Sequence, residues 1–181
     1  MADQARFVER LGTPIVFGEA SGTIGGQAVT ATLSLDALAS GSGRMSAEAD
    51  LGADLPEELL VIPFAETGTA PTAGGTVDFY LAGSHDGTNY PGGCTGADGA
   101  WPSDGNEDEW RVQLGQAFSL IATNDGNVVQ MQQPYRTKPP GRYLVAVCDN
   151  NLSQALRDEA TASNNGSGLV VYPIYRYAID P

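Results

Sequence analysis

The sequence predicts an all-β protein: an antiparallel, jelly-roll-like β-sandwich of about eight to nine strands with one short helix in a late loop. Two observations predict this class. The 23 glycines and 11 prolines are spread along the 181 residues instead of being gathered in one linker. Between them lie short segments rich in Val, Thr, Tyr and Ile, and such turn-separated segments are typical of antiparallel sandwiches and barrels.

Nine strands follow from these segments, and their predicted bounds are residues 13–19, 27–35, 44–51, 59–67, 76–84, 109–122, 128–134, 142–149 and 168–178. The 109–122 run is long enough to include a bend at Gly115. Side chains alternate between the two faces of a strand. In TVDFYL the apolar side chains of Val77, Phe79 and Leu81 therefore share one face, and Asp78 and Tyr80 lie on the other.

The same alternation in MSAEADL places Met45, Ala47, Ala49 and Leu51 on one face. Strands of this kind are predicted to have one wet face. The one predicted helix covers residues 153–162, SQALRDEATA, where Ser153 can cap the first turn. Residues 1–12 are predicted to form an N-terminal arm, free or laid on a neighbour, ahead of a single sandwich domain over residues 13–181.

The charge balance excludes two classes of partner. The chain has 22 acidic and 9 basic residues and a net charge of −13. Nucleic acid and anionic membranes both require a basic surface, so we expect neither as a partner. The sequence also shows no apolar run of the kind found in a signal peptide or a membrane span, so we expect synthesis in a host cytoplasm.

The two cysteines do not form a disulfide framework. Cys148 alternates with Leu144 and Ala146 in RYLVAVC and is expected to be a small core residue, whereas Cys94 lies in a glycine-rich loop. A disulfide between the two is the less favoured alternative in a reducing compartment.

The stretch FYLAGSHDGTNYPGG holds the single histidine of the chain and resembles part of a catalytic site. Ser84, His85 and Asp86 are consecutive, however, and adjacent side chains of a strand point in different directions, so they cannot form a hydrolase triad among themselves. The Asp86-Gly87 dipeptide instead predicts a turn, with His85 solvated near its tip.

No metal, nucleotide or catalytic motif is complete. The acidic loop SDGNEDE at residues 103–109 resembles the opening of a calcium loop, but Gln113 and Gly115 stand where further acids are needed. Asp104, Asp108 and Glu109 are carboxylates of the type that glycosidases use, but nothing in the sequence pairs them across a cleft. The glycine clusters lack phosphate-binding registers. We expect no catalytic residue, no metal ion and no cofactor.

Aromatic residues gather around one long loop. They are Tyr80, Tyr90, Trp101 and Trp110. One interpretation is that they bind a carbohydrate, as aromatic side chains in the loops of sugar-binding sandwiches do. The other, which we favour, is that Trp101 fixes the loop to the sandwich and Trp110 begins a strand and enters the core.

Three segments carry a resemblance to a known group: LDALASGSGRMSAEAD at residues 35–50, TAGGTVDFYLAGSHDGTNYPGG at 72–93 and PPGRYLVAVCDNNLSQAL at 139–156. Together they resemble small virion structural proteins of tailed bacteriophages, over roughly residues 31–179. The motifs are strands with their turns, and no catalytic residue is carried over. The resemblance implies a jelly-roll-like sandwich that is part of the particle, as a capsid decoration (cement) protein or otherwise a head-tail or tail component.

From this resemblance we expect a non-enzymatic protein located on the capsid surface of the virion. Its expected partners are the major capsid protein and copies of itself in a closed homo-oligomer such as a trimer. The candidate partner-binding residues are Arg6, Phe7, Arg10, Tyr90 and Trp101. The alternative is a carbohydrate-binding module of a phage tail or head fibre that contacts host glycans through Tyr90, Trp101 and the acidic loop, with or without calcium.

Overall fold

The computed structural model describes residues 6–102, 107–157 and 166–179. Over these ranges the chain is an all-β sandwich with one helix, which confirms the predicted fold class. The elements are β1 (Arg6–Leu11), β2 (Ile15–Gly18), β3 (Thr23–Ile24), β4 (Gln27–Ala28), β5 (Ala31–Thr32), β6 (Ser42–Met45), β7 (Ala49–Asp50), β8 (Glu58–Ala65), β9 (Thr76–Ser84), β10 (Gly99–Trp101), α1 (Glu107–Leu114), β11 (Phe118–Ile121), β12 (Gln130–Met131), β13 (Tyr135–Thr137), β14 (Tyr143–Asn151) and β15 (Gly168–Ile179).

Two sheets form the sandwich. The first has the strand order β12-β8-β15-β2-β5, with β13 also paired to β8 and β1 paired to β15. The second has the order β10-β6-β14-β9-β11, with β7 also paired to β14. Among the described strands the pairing is antiparallel except between β2 and β5, and β3 and β4 form a small separate hairpin.

The main core lies between the two sheets and is built by alternation. Leu59, Val61, Leu169 and Val171 enter it from the first sheet, and the apolar face of TVDFYL enters it from β9, as predicted. The other face of β9 is not wet. Tyr80 belongs to a second buried cluster with Trp101 and Leu114, so the prediction of a solvated outer face is wrong there. Alternation along a strand shows that two faces exist, but it does not show what covers the second one.

The predicted strand at residues 44–51 is interrupted. Met45 pairs with Val147 and Ala49 pairs with Leu144, so four steps along this segment match three along β14. One extra residue is the definition of a β-bulge, and it reverses the face on which the following residues lie. Met45 therefore packs in the second cluster while Leu51 packs in the main core, and the prediction that they share a face is wrong.

The predicted strand at residues 109–122 is a helix in its first half. Three acidic residues occupy the first turn of α1, where they stabilise the positive end of the helix dipole. Arg111 forms an ion pair with Glu107, one turn earlier. Gly115, with φ of 76°, then ends the helix and donates to the Arg111 carbonyl oxygen at 3.1 Å. Only Phe118–Ile121 is a strand.

Other boundaries also differ. The predicted helix at 153–162 is wrong for residues 153–157, which are not helical and are held by a bridge between Leu156 and Thr67. Its remainder lies outside the described residues. The predicted strands at 27–35 and 128–134 are reduced to β4 with β5 and to β12, while β13 was not predicted.

Both cysteines are free and buried. Cys148 is a core residue, as expected, and Cys94 packs in the second cluster on the outer side of the second sheet. The alternative of a disulfide between them is therefore wrong for this structure. Burial raises the pKa of the Cys94 thiol to about 12, which keeps it protonated and unreactive at neutral pH.

Candidate partner-binding surface

The turn that follows β9 contains no catalytic relay. The Ser84 hydroxyl donates directly to Asp86 at 2.8 Å, and His85 is exposed to solvent. The Asp86 carboxylate also accepts hydrogen bonds from the backbone of Asn89 and Thr88, and these bonds lower the pKa of Asp86. Asp86 thus organises the turn, and Gly87 adopts a positive φ of 71°, which glycine tolerates.

We expect Gly87→Val to lower the free energy of unfolding by about 1–2 kcal/mol, because a β-branched residue is strained at positive φ. His85→Ala is the matched control and should change stability by less than about 0.5 kcal/mol, since the side chain is exposed. Urea unfolding of both variants measures this. An equal or larger loss in His85→Ala would contradict the structural role given to the turn.

Tyr90 anchors the long loop, here called the excursion, that follows this turn and leads to β10. Its hydroxyl donates to the Glu48 carboxylate, and its side chain is half-buried. Burial first, and then this hydrogen bond, raise the pKa of Tyr90 above its usual value. Further along, Asp98 accepts from Arg44 and Ser34, and these bonds lower its pKa although burial opposes them. The excursion is therefore fixed at several points.

Trp101 has no exposed face to offer a partner. It is 2% exposed, and its indole nitrogen donates to the Gly92 carbonyl oxygen at 2.7 Å. Its ring lies beside that of Tyr80, with 6.3 Å between the centroids. Trp101 thus fixes the loop to the sandwich, as the favoured interpretation expected. Trp110 lies in α1 and not at the start of a strand, and it is partly buried against the same cluster.

The acidic loop is only partly described, because residues 103–106 fall outside the described ranges. Asp108 and Glu109 lie in the first turn of α1 and are exposed. Within the described residues, His, Cys, Asp and Glu side chains form no group of three or more arranged to hold a metal ion.

Within the predicted arm, residues 6–11 form a two-stranded ribbon with the last described strand, and residues 1–5 lie outside the described residues. Residues 6–11 pair with residues 174–179 of the same chain, and β1 has no other strand partner in the described structure. We call these two segments the ribbon. Directly paired residues share a face, so one face, the outer ribbon face, carries Phe7, Glu9, Leu11 and Arg176.

The outer ribbon face is apolar at both ends and charged in the middle. Phe7 and Leu11 are 61% and 58% exposed. Between them, Glu9 forms ion pairs with Arg136 and Arg176, and these bonds lower the pKa of Glu9. The face thus presents two large apolar side chains separated by an ion-pair network.

The opposite face, which we call the inner ribbon face, carries Val8, Arg10, Tyr175 and Tyr177. It continues the core-facing side of β15, because Tyr175 and Tyr177 alternate in phase with Leu169 and Val171. Among the described residues, no strand of the second sheet covers Tyr177, which is 51% exposed. A groove of about 660 Å³ opens at the base of the ribbon, and its walls include Gly12, Tyr175, Glu48 and Leu51.

Arg10 is distinctive among the basic residues. Its guanidinium lies 5.7 Å from the centroid of the Tyr177 ring. Among the basic side chains that the structure describes, it alone has no carboxylate within 4.0 Å. In a chain with 22 acidic residues, a cation with no carboxylate beside it among the described side chains is unusual. The side chain of Arg6 lies outside the description.

The sequence prediction named Arg6, Phe7 and Arg10 in this region, but it missed Tyr175 and Tyr177. The signal that identifies them is the pattern IYRYA at residues 174–178, an alternation that continues beyond the part of β15 paired with β8. The structure does not bring the ribbon residues together with Trp101, which is buried in the second cluster on the outer side of the other sheet.

Comparisons with protein-family models, with curated proteins and with solved structures each find no match to this chain. In the part of the chain that the structure describes, no helix has the length and apolar character needed to cross a membrane.

Proposed function

We propose that the protein is a non-enzymatic structural subunit of a tailed-phage virion, a capsid decoration protein that binds the outer capsid surface and stabilises the particle. The observation that supports this most is the outer ribbon face. Large apolar side chains that stay exposed beside a rigid charged network are typical of binding surfaces. The acidic remainder of the chain fits a protein that must not adsorb to packaged DNA.

The carbohydrate-binding alternative has less support. A sugar-binding aromatic must present its ring face to solvent, and the Trp101 ring is buried with its polar edge already bonded within the chain. Tyr90 is left as the candidate, and its hydroxyl is bonded to Glu48.

We expect Phe7→Ser combined with Leu11→Ser to weaken co-sedimentation of the protein with capsids that lack it by at least tenfold. Each truncation removes an apolar anchor, and about 1.4 kcal/mol corresponds to a factor of ten. Val112→Ser is the matched control, because Val112 is 81% exposed on α1, away from the ribbon.

Point substitutions are cleaner than deletion of residues 1–11, which would also remove the strand paired to β15.

Quantitative mass spectrometry of purified virions gives the copy number of the protein in the particle. A ratio to the major capsid protein between about one to one and one to a few supports a decoration protein. A handful of copies per particle indicates the neck or tail, and absence from the particle contradicts the proposal.

A further inference from the structure

We propose that the inner ribbon face and the groove at its base form a self-association site, in which the ribbon of one copy packs into the groove of a second copy of this chain. This inference assigns a contact surface to the homo-oligomer that is expected of a decoration protein. It rests on the proposed function only in placing that oligomer on the virion. The site itself is argued from this chain alone.

In the described part of the structure, the inner ribbon face continues a core face beyond the sheet that covers it. Along β15 the same side that carries buried Leu169 and Val171 continues to Tyr175 and Tyr177, and Tyr177 is 51% exposed. The second sheet stops short, and its β7 residues form the opposite wall of the groove. A sheet face of this kind is normally buried against another layer, and an isolated two-stranded ribbon is only marginally stable in water.

The ribbon is long enough to reach a neighbouring copy. Its six residue pairs, at about 3.3 Å per residue, give a length of about 20 Å. The groove beside its base opens between the ribbon and the end of the sandwich. Because the contact joins the ribbon of one copy to the groove of the next, repeating it builds a head-to-tail ring that closes when the rotation allows it.

Charge selects a second copy as the occupant. The ribbon contains three arginines and one glutamate and has a net charge of +2. Because the whole chain has a net charge of −13, the residues outside the ribbon carry −15. Glu48 lines the groove. Burial first, then Tyr177 and then the exposed Asp54 raise the pKa of Tyr175, so Asp54 carries its charge near this residue of the groove wall. Arg10, which has no carboxylate within 4.0 Å among the described side chains, thus matches acidic groups beside the groove of another copy.

The test is the oligomeric state of the full chain, measured by analytical ultracentrifugation over a concentration series. We expect the wild type to form a closed oligomer, and Arg10→Glu and Asp54→Arg each to weaken association at least tenfold. The double variant Arg10→Glu with Asp54→Arg should regain association, because the charges are exchanged between the two surfaces. Tyr177→Ser should also weaken it, and Val112→Ser, at an exposed position on α1, should not.

Circular dichroism and thermal unfolding establish that each variant is folded. A wild type that stays monomeric throughout the series overturns the inference, and so does a double variant that associates no better than Arg10→Glu. Capsid co-sedimentation separates this from the proposed function. If the chain is monomeric but binds capsids, only the self-association site is refuted. If the chain is oligomeric but does not co-sediment with capsids, the self-association site is supported and the decoration role is refuted.

Discussion

Replacing Trp101 with alanine is expected to lower the free energy of unfolding by about 3–5 kcal/mol, the usual cost of truncating a buried tryptophan. The indole fills the centre of the second cluster, against Tyr80 and the outer face of β14. Its loss leaves a cavity and leaves the Gly92 carbonyl oxygen with the weak Cys94 thiol, at 3.8 Å, as its side-chain donor. Urea unfolding followed by tyrosine fluorescence or circular dichroism measures the change.

Two controls make the expectation for Trp101 specific. Val112→Ala removes an apolar side chain that is exposed on α1, and it should change stability by less than about 0.5 kcal/mol. Trp101→Phe keeps most of the apolar volume and should lose less than Trp101→Ala. A Trp101→Ala variant of unchanged stability that loses binding on a glycan array would contradict the structural role and restore the carbohydrate-binding alternative.

The strands predicted best are those whose neighbours do not change their pattern. β9 matches its predicted bounds, residues 76–84, because a turn closes each end and period-2 alternation fills the interval. β14 and β15 each differ from prediction by only one or two residues at their ends. In such segments local propensity, turn residues and burial all indicate the same structure.

The strand predictions failed where tertiary structure decides. In the EDEWRVQL segment, polar and apolar residues alternate only weakly, and the local pattern is compatible with a strand. Capping at Gly115 and the ion pair of Arg111 with the second sheet favour a helix instead. The bulge between Met45 and Ala49 depends on its partner strand, β14, which the local pattern does not contain. A reversal of faces caused by one extra residue is therefore absent from any prediction that uses alternation alone.

The candidate surface was predicted only in part, for a related reason. The mixed apolar and basic character of Phe7 and Arg10 was visible, because it stands out in an acidic chain. The inner ribbon face was not, since Tyr175 and Tyr177 belong to a strand whose other residues are buried. Whether a strand face is covered depends on where the opposite sheet ends, and sequence spacing does not give that position.

Removing the charge of Arg111 is expected to lower the free energy of unfolding by about 3 kcal/mol, at the lower end of the range for a broken buried ion pair. Arg111 joins α1 to β14 through an ion pair with Asp149, whose side chain is only 3% exposed. Arg111→Met leaves that carboxylate buried without its cation. Arg142→Met is the matched control, because Arg142 and Asp50 are both well exposed, and it should cost less than about 1 kcal/mol.

The cost of Arg111→Met arises from the carboxylate that is left behind, not from the lost attraction alone, and a double variant tests this. Adding Asp149→Leu removes the stranded charge and replaces it with an apolar side chain in a buried position, so Arg111→Met with Asp149→Leu should lose less stability than the two single variants together. Urea unfolding of the four proteins gives the coupling. If the stability losses of the two single variants simply add in the double variant, Asp149 does not depend on Arg111 and α1 is held by its apolar contacts. A stability loss in Arg142→Met as large as that in Arg111→Met would lead to the same conclusion.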